Sequence, residues 1–274
     1  MTTTTIDLPR PTFDRPTAWR RVTWSVSDTL TLARRNLMVW SRVPAFLVFT
    51  VVQPIMFTLL FRYVFGGVIQ TSVRGGYVNY LMPGIIGQTA AFGSMGTAIA
   101  LAREAQKGII DRFRSMPITR SAVLTGRLLS DTLRITFTVA VLIGVGYGVG
   151  FRFEQGAGKA LLMMVLSVLL GLCVCCVSAF IGLAIRDEES VQALAVIWIF
   201  PLTFVSSAFV PVDKMPGWLQ PFAVNQPVSI WISTLRSLAV GGPLYTHAWE
   251  SLVWMAGVIL VFAPLAVRAY RRPG

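Results

Sequence analysis

Ionisable side chains are scarce in this 274-residue chain: Asp, Glu, Lys and Arg together make up 13% of it, and there is one histidine. A water-facing surface needs roughly a quarter to a third charged residues, so a soluble enzyme is excluded. Hydrophobic residues at 54% exclude intrinsic disorder as well. No G-x-x-x-x-G-K-[ST] loop is present. Its nearest approach, Gly158-Lys159-Ala160, has Phe153 where the first glycine belongs and alanine where magnesium needs a hydroxyl. Cys173, Cys175 and Cys176, the three cysteines, share one apolar run with no His or carboxylate beside them, so they read as packing residues and no metal site is expected. His247 has no visible catalytic partner and reads as a surface residue. The first 42 residues carry ten charges, which leaves no apolar core for a cleaved leader.

What the chain does have is a series of apolar runs, each to be measured against the ~20 residues that cross a hydrocarbon core. Six qualify: Val43–Phe65, Tyr77–Leu101, Ile135–Phe151, Ala160–Ile185, Val191–Val212 and Ser251–Val267. The third and sixth are short and borrow flanking residues, while the second and fourth are long enough to tilt. The chain is thus expected to be an all-α polytopic membrane protein with six transmembrane helices. Residues 1–42 form an amino-terminal segment and 43–274 the six-helix domain.

The net charge of +12, from 24 basic and 12 acidic residues, would suggest nucleic acid in a soluble protein. Here it reports topology. Seven Lys or Arg precede span 1, seven lie between spans 2 and 3, one between spans 4 and 5, and three after span 6, against six on the other side. Retention of basic residues on the cytoplasmic side puts both termini inside a plasma or inner membrane. No nucleic-acid partner is needed.

Two peripheral elements flank the spans. Trp19, Val22, Val26, Leu30, Ala33, Leu37 and Trp40 recur every three or four residues, an amphipathic helix at the inner membrane surface with its arginines toward anionic lipid. Between spans 5 and 6, residues 212–250 carry Pro216, Pro221, Pro227 and Pro243 among Trp218, Phe222 and Trp231, which predicts short re-entrant helices dipping into the outer leaflet.

Apart from Arg62, the six spans contain no Asp, Glu, Lys, Arg or His, so proton coupling is not expected and the driving force comes from outside the spans. Gln53, Asn79, Gln88, Thr89, Ser94 and Thr97 are the polar residues of spans 1 and 2. They line a translocation surface or hydrogen-bond neighbouring helices. Gly144, Gly146, Gly148 and Gly150 hold two G-x-x-x-G spacings that predict close helix packing. A polytopic membrane enzyme would need a carboxylate or histidine cluster. Asp187, Glu188 and Glu189 form the one acidic cluster, and a single turn of chain sends them in different directions, so they read as a docking contact. A stand-alone secondary carrier or channel is the other alternative.

The most informative stretch is Leu101–Arg134. Arg103, Glu104, Lys107, Asp111, Arg112 and Arg114 alternate in sign around an apolar facet of Ile109, Ile110 and Phe113. Met116-Pro117 stops that short helix and Ser121 caps the next. Such a helix on the arginine-rich side suits docking of a soluble partner. The sequence resembles the ABC-2 type membrane subunits of ATP-binding-cassette exporters. Arg103-Glu104, Gly108 and Pro117-Ile118-Thr119-Arg120 match the family's loop, with Ala105-Gln106 replacing its usual further charge. Gln53-Pro54, Gly66-Gly67 and Leu81-Met82-Pro83-Gly84 strengthen the match, and residues 206–228 with Asn225-Gln226-Pro227 and Gly241-Gly242-Pro243 resemble its daunorubicin/doxorubicin-resistance branch.

The resemblance implies a permease subunit with no catalytic residue and no cofactor of its own. Two permeases, identical or paralogous, would meet two copies of a separate ATPase carrying ATP and Mg. The loop helix near Lys107–Pro117 would dock on that ATPase, and a hydrophobic drug or lipid would be carried outward.

Overall fold

A computed structural model of the chain describes residues 27–38, 44–69, 71, 73, 75–115, 120–242 and 244–271. Trp19, Val22, Val26, Trp40, Met116 and Pro117 lie outside the described residues, as do the side chains of Arg114, Ser121 and His247. The described chain is helical, with no strand. Its elements are α1 (27–38), α2 (Pro44–Leu60) prolonged by a π-turn Phe61–Phe65, α3 (Gly76–Gly93), α4 (Met95–Gln106), α5 (Ile109–Ser115) and α6 (Arg120–Val149). They continue with α7 (Gly156–Ile185), α8 (Glu188–Phe204), a 3-10 turn Val212–Lys214, α9 (Gln220–Asn225), α10 (Pro227–Val240) and α11 (Leu244–Arg271).

Four stretches among the described residues are long and apolar enough to cross a membrane: Gly76–Gln106, Val123–Val149, Gly156–Ile185 and Ala248–Arg271. The first joins α3 and α4 across a turn at Ser94 into one 31-residue rod, about 45 Å long at 1.5 Å per residue. The remaining two expected spans are α2, 17 residues plus the five-residue π-turn, and α8, 17 residues.

α3 is the axis of the molecule, with every residue from Tyr77 to Gln88 buried. Its neighbours approach closely because the contact positions are small. A Cβ on Gly84 would stand 2.2 Å from the Ala208 carbonyl oxygen, and one on Gly87 would meet Ile232 at 2.8 Å. Farther along the rod, α4 touches α7, where a Cβ on Gly182 would stand 2.3 Å from the Ala98 oxygen. The principal core gathers Leu81, Ile85, Leu142, Met163, Leu170, Cys173, Trp231 and Leu235 around this axis. Cys173, Cys175 and Cys176 are all buried in α7.

The structure corrects three expectations. The helix that holds the expected third span begins well before Ile135: α6 starts at Arg120 and carries Asp131 and Arg134 buried in the packed bundle, with Arg127 half-buried beside them. The apolar stretch Val123–Val149 that is long enough to cross a membrane therefore includes ionisable groups. The run expected as the fifth span is helical only to Phe204, not to Val212, because residues 205–211 leave the helix and hydrogen-bond elsewhere. Tyr77 donates to the Phe209 carbonyl at 3.0 Å, Tyr80 to that of Ser207 at 2.8 Å, and Ser207 N–H donates to Ser229 Oγ at 3.1 Å. The glycine repeat of α6 does not close a helix pair within this chain: Gly144 and Gly148 are exposed with open space at their Cβ positions, and Gly146 alone packs, on Met82.

α10 lies inside the bundle alongside α3. Pro227 and Val228 share a cavity wall with Ala91, Ile232 abuts Gly87, and Arg236 donates to the Tyr80 carbonyl at 3.2 Å. At the other end of the rod a satellite core joins Leu32 of α1, Leu101, Ile110, Val123, Leu183, Ala266 and Tyr270. Both described chain ends therefore meet at the same end of the bundle. α1 reaches it by packing on α6, where a Cβ on Gly126 would stand 2.9 Å from Leu32 Cβ. Its buried side is Leu32, Ala33 and Asn36, whereas Leu30 of the expected membrane-facing stripe is exposed. The apolar side of α1 faces protein because Gly126 lets the two backbones approach.

Candidate functional site

The loop residues singled out in the sequence converge at the satellite-core end, where they divide into two sets. Arg103 and Glu104 join helices. The Arg103 guanidinium grips Glu188 with two hydrogen bonds, one from Nε at 2.9 Å and a second from a terminal nitrogen. Glu104 pairs with Arg35 of α1, whose guanidinium also stacks 5.0 Å from the Phe113 ring centroid. Gln106 donates to Asp187 at 3.5 Å. Thus the two acidic residues Asp187 and Glu188 and the loop residues Arg103 and Gln106 form one clasp linking α4 to α8, and Glu104 adds α1.

The second set faces outward. Lys107, Gly108, Asp111, Arg112 and Glu189 are exposed. Gly108 has φ +66, a left-handed conformation that ends α4 and turns the chain into α5, and glycine adopts it without a Cβ penalty. Of the expected apolar facet, Ile110 is buried in the satellite core and Phe113 packs against it. The face of α5 open to a partner is therefore polar, and its apolar side anchors the helix to the bundle. Asp187 also caps α8, accepting from Ser190 N–H at 2.8 Å. The Ser190 hydroxyl and backbone N–H hold its carboxyl below the usual carboxylate range, and hydrogen bonding to Arg103 does the same for Glu188.

Deeper in the rod lies a group that the sequence reading missed. Asp131 is 1% exposed and stands between Arg134, at 3.2 Å, and Arg127, at 3.5 Å, and accepts from the Thr97 hydroxyl at 2.7 Å. Arg134 donates to the Gly93 carbonyl at 2.7 Å and Arg127 to that of Gly96 at 3.1 Å. These carbonyls flank the turn at Ser94, so α6 is pinned to the point where the rod changes course. Spacings of four and three residues place all three side chains on one face of α6. That was the signal available in the sequence, hidden because the third apolar run was counted only from Ile135, after the last of the three.

Beside this group a cavity of about 250 Å³ opens between α2, α3 and α4. Gln53, Gln88 and Thr89 line it together with Phe57, Phe92 and Arg134. Asn79, Ser94 and Thr97 do not. Asn79 accepts from Arg152 N–H at 3.1 Å and donates to Glu154 at 3.3 Å, and Ser94 meets Ser178 at 2.8 Å. The six polar residues thus divide between the wall of this cavity and hydrogen bonds to other helices or, for Asn79, to the α6–α7 connection. At the far end, Asn225 donates to the Pro221 carbonyl at 2.8 Å, Gln226 donates to Ser229 Oγ at 3.3 Å, and Pro227 opens α10. No group of three or more metal-ligating side chains occurs among the described residues.

The sequence profile described as ABC-2 type transporter matches residues 27–240, from α1 to the end of α10. This chain belongs to the ABC-2 type transporter family. It is 33% identical over 247 residues to the daunorubicin resistance ABC transporter permease protein DrrB1 of Streptomyces coeruleorubidus, a match covering 90% of this chain and 87% of that one. It is 32% identical over 254 residues to the probable doxorubicin resistance ABC transporter permease protein DrrC of Mycobacterium tuberculosis, covering 90% and 89%. The putative transport permease ycf38 of Cyanophora paradoxa shares 25% over 237 residues, covering 81% and 76%. This ABC-2 protein is accordingly a multi-pass membrane permease, the transport component of an ABC transporter, and the family implies an ABC ATPase as its partner.

Proposed function

We propose that this permease is the membrane-spanning half of an exporter that moves amphipathic drugs or lipids outward across the plasma or inner membrane, powered by ATP and Mg on a separate subunit. The observation that carries the reading is the clasp. One loop ties α1, α4 and α8 together through Arg35–Glu104 and Arg103–Glu188, and beside it presents Lys107 in the turn and a helix whose open face bears Asp111 and Arg112. Force applied to that helix is delivered to three elements at once. The relatives named for daunorubicin and doxorubicin resistance support the substrate class.

In this reading α2, α3–α4, α6, α7, α8 and α11 make six crossings. An even number agrees with both described chain ends lying in one satellite core, and the arginine-rich loops put that end in the cytoplasm. Residues 205–240 form the outer re-entrant segment. Two permeases, a pair of copies or two paralogues, sit over two ATPases, which dock on Lys107–Pro117 and on Glu189. The chain performs no hydrolysis itself.

The test is the substrate-stimulated ATPase activity of the assembled complex. Glu104→Ala, which frees Arg35, and Gly108→Pro, which straightens the turn into α5, lower the stimulation while leaving expression intact. Unchanged stimulation in both variants overturns the docking assignment.

A further inference from the structure

At the end of the bundle away from the satellite core, a cleft of about 710 Å³ opens between residues 207–212, α9, α10 and α11. One side is hydroxylic, with Ser207, Ser229 and Ser233 in its lining. The other is Glu250 and Trp254 of α11, four residues apart and so neighbours on one helix face. No Lys, Arg or His occurs among the described residues that line the cleft. Arg236 is not part of the lining: its guanidinium donates to the Tyr80 and Ser207 carbonyls and stacks 3.7 Å from the Tyr80 ring centroid. The cleft therefore presents a carboxylate beside an aromatic face, a pairing that recognises an ammonium group.

Ser207 gives a second, independent sign of a ligand. Its N–H donates to Ser229 Oγ and its carbonyl accepts from Tyr80 and Arg236. Yet its Oγ, in a residue 5% exposed, has no hydrogen-bond partner among the described residues. A buried hydroxyl left unpaired is costly, and a phosphate oxygen entering the cleft would accept from it.

Depth in the membrane narrows the choice of ligand. Glu250 stands at the start of the span-length stretch Ala248–Arg271, and the segments flanking the cleft carry the exposed Trp218, Phe222 and Trp249. Exposed tryptophans of this kind sit at headgroup level. Beyond Trp254 the same face of α11 continues through Gly257 and Val261, both exposed, and a Cβ on Gly257 would meet open space. Spacings of four, three and four residues make Glu250, Trp254, Gly257 and Val261 one stripe, polar at its head and apolar below, with a groove at the glycine.

We propose that this stripe seats a bilayer lipid with an ammonium headgroup, phosphatidylethanolamine. Its ammonium lies between Glu250 and Trp254, its phosphate accepts from Ser207, and an acyl chain runs along Gly257 and Val261. The outer leaflet as its source rests on the orientation proposed above, whereas the contacts themselves do not. An anionic lipid is disfavoured here, because it brings negative charge to Glu250 with no ammonium to offset it.

The experiment uses the full chain, purified with phosphatidylethanolamine, its N-acetyl derivative and phosphatidylglycerol in equal amounts with matched acyl chains. Retained lipid is read by native mass spectrometry. Phosphatidylethanolamine is expected to be retained about tenfold more than either of the others, the worth of one charge-assisted hydrogen bond. Glu250→Gln, a change on an exposed side chain, abolishes the preference, and Glu250→Asp keeps most of it. Gly257→Leu fills the groove and lowers retention of phosphatidylethanolamine. Equal retention of this lipid and its N-acetyl derivative by the unaltered chain, or an undiminished preference in Glu250→Gln, overturns the inference. So does quantitative disulfide cross-linking between copies through Val253→Cys, since a second copy then covers the stripe. Because retention is read on this chain without an ATPase, its failure leaves the exporter reading standing, and failure of ATPase coupling leaves the lipid result standing.

Discussion

Two ionic groups meet the same rod and do opposite things. Arg103 and Glu188 are 54% and 29% exposed, Arg35 and Glu104 37% and 15%, whereas Asp131 and Arg134 are 1% and 4% exposed. Exposed pairs of this kind contribute about 0–1 kcal/mol each, so the clasp opens readily and answers to a docking partner. The buried group cannot open without leaving a charge unpaired in the bundle. Its site beside the Ser94 turn fixes where α6 meets the rod, and the clasp sets how α4 meets α8. Burial, not the number of ion pairs, separates the part that holds shape from the part that transmits movement.

Removing Asp131 breaks this comparison most severely. Asp131→Ala strands Arg127 and Arg134 together and costs about 3–5 kcal/mol, measured as lost thermal stability and lost monodisperse protein in detergent. Asp131→Leu combined with Arg127→Met and Arg134→Met recovers most of that stability, because the charges leave together. By contrast, Arg103→Gln with Glu188→Gln changes stability by less than about 1 kcal/mol while lowering stimulated ATPase activity in the complex. If the exposed pair proves as costly to remove as the buried one, the division of labour fails.

Acidification gives a smaller, graded effect. The folded-state carboxyls of Asp187 and Glu188 are both depressed, so their contribution is fully present above the unfolded values of about 4 and is lost as pH falls through the lower folded ones. Spin labels at Ala105 and Gln192 therefore report a sharp α4–α8 distance at neutral pH that broadens progressively as pH is lowered below the ordinary carboxylate range of about 4. Raising salt to 1 M, where the Debye length is about 3 Å, produces the same broadening without altering the thermal stability that depends on Asp131.

The helical class and the two longest apolar runs were legible because hydropathy over ~20 residues is a local property. The third run was cut short at Ile135 by the same rule, since it cannot tell an arginine in water from one whose charge is shared with Asp131 three residues away. The end of α8 was hidden for another reason. Nothing local marks residues 205–211 as irregular backbone, and the hydroxyls that accommodate them belong to Tyr77, Tyr80 and Ser229. The polar residues of the rod could not be sorted either. Gln88 and Ser94 look alike in the sequence, yet one lines a cavity and the other bonds to Ser178.

By itself the sequence determined that this protein lives in a membrane, that several of its runs are apolar enough to cross one, and which family its loop motifs resemble. Each of these follows from composition or short-range spacing. Only the tertiary structure decided that Arg103 holds Glu188, 85 residues away, that Arg35 reaches Glu104, and that Arg134 faces a cavity instead of water. Those pairings depend on which helix faces are brought together. Close approaches at Gly84, Gly126 and Gly182 set that assembly, and no spacing along the chain encodes it.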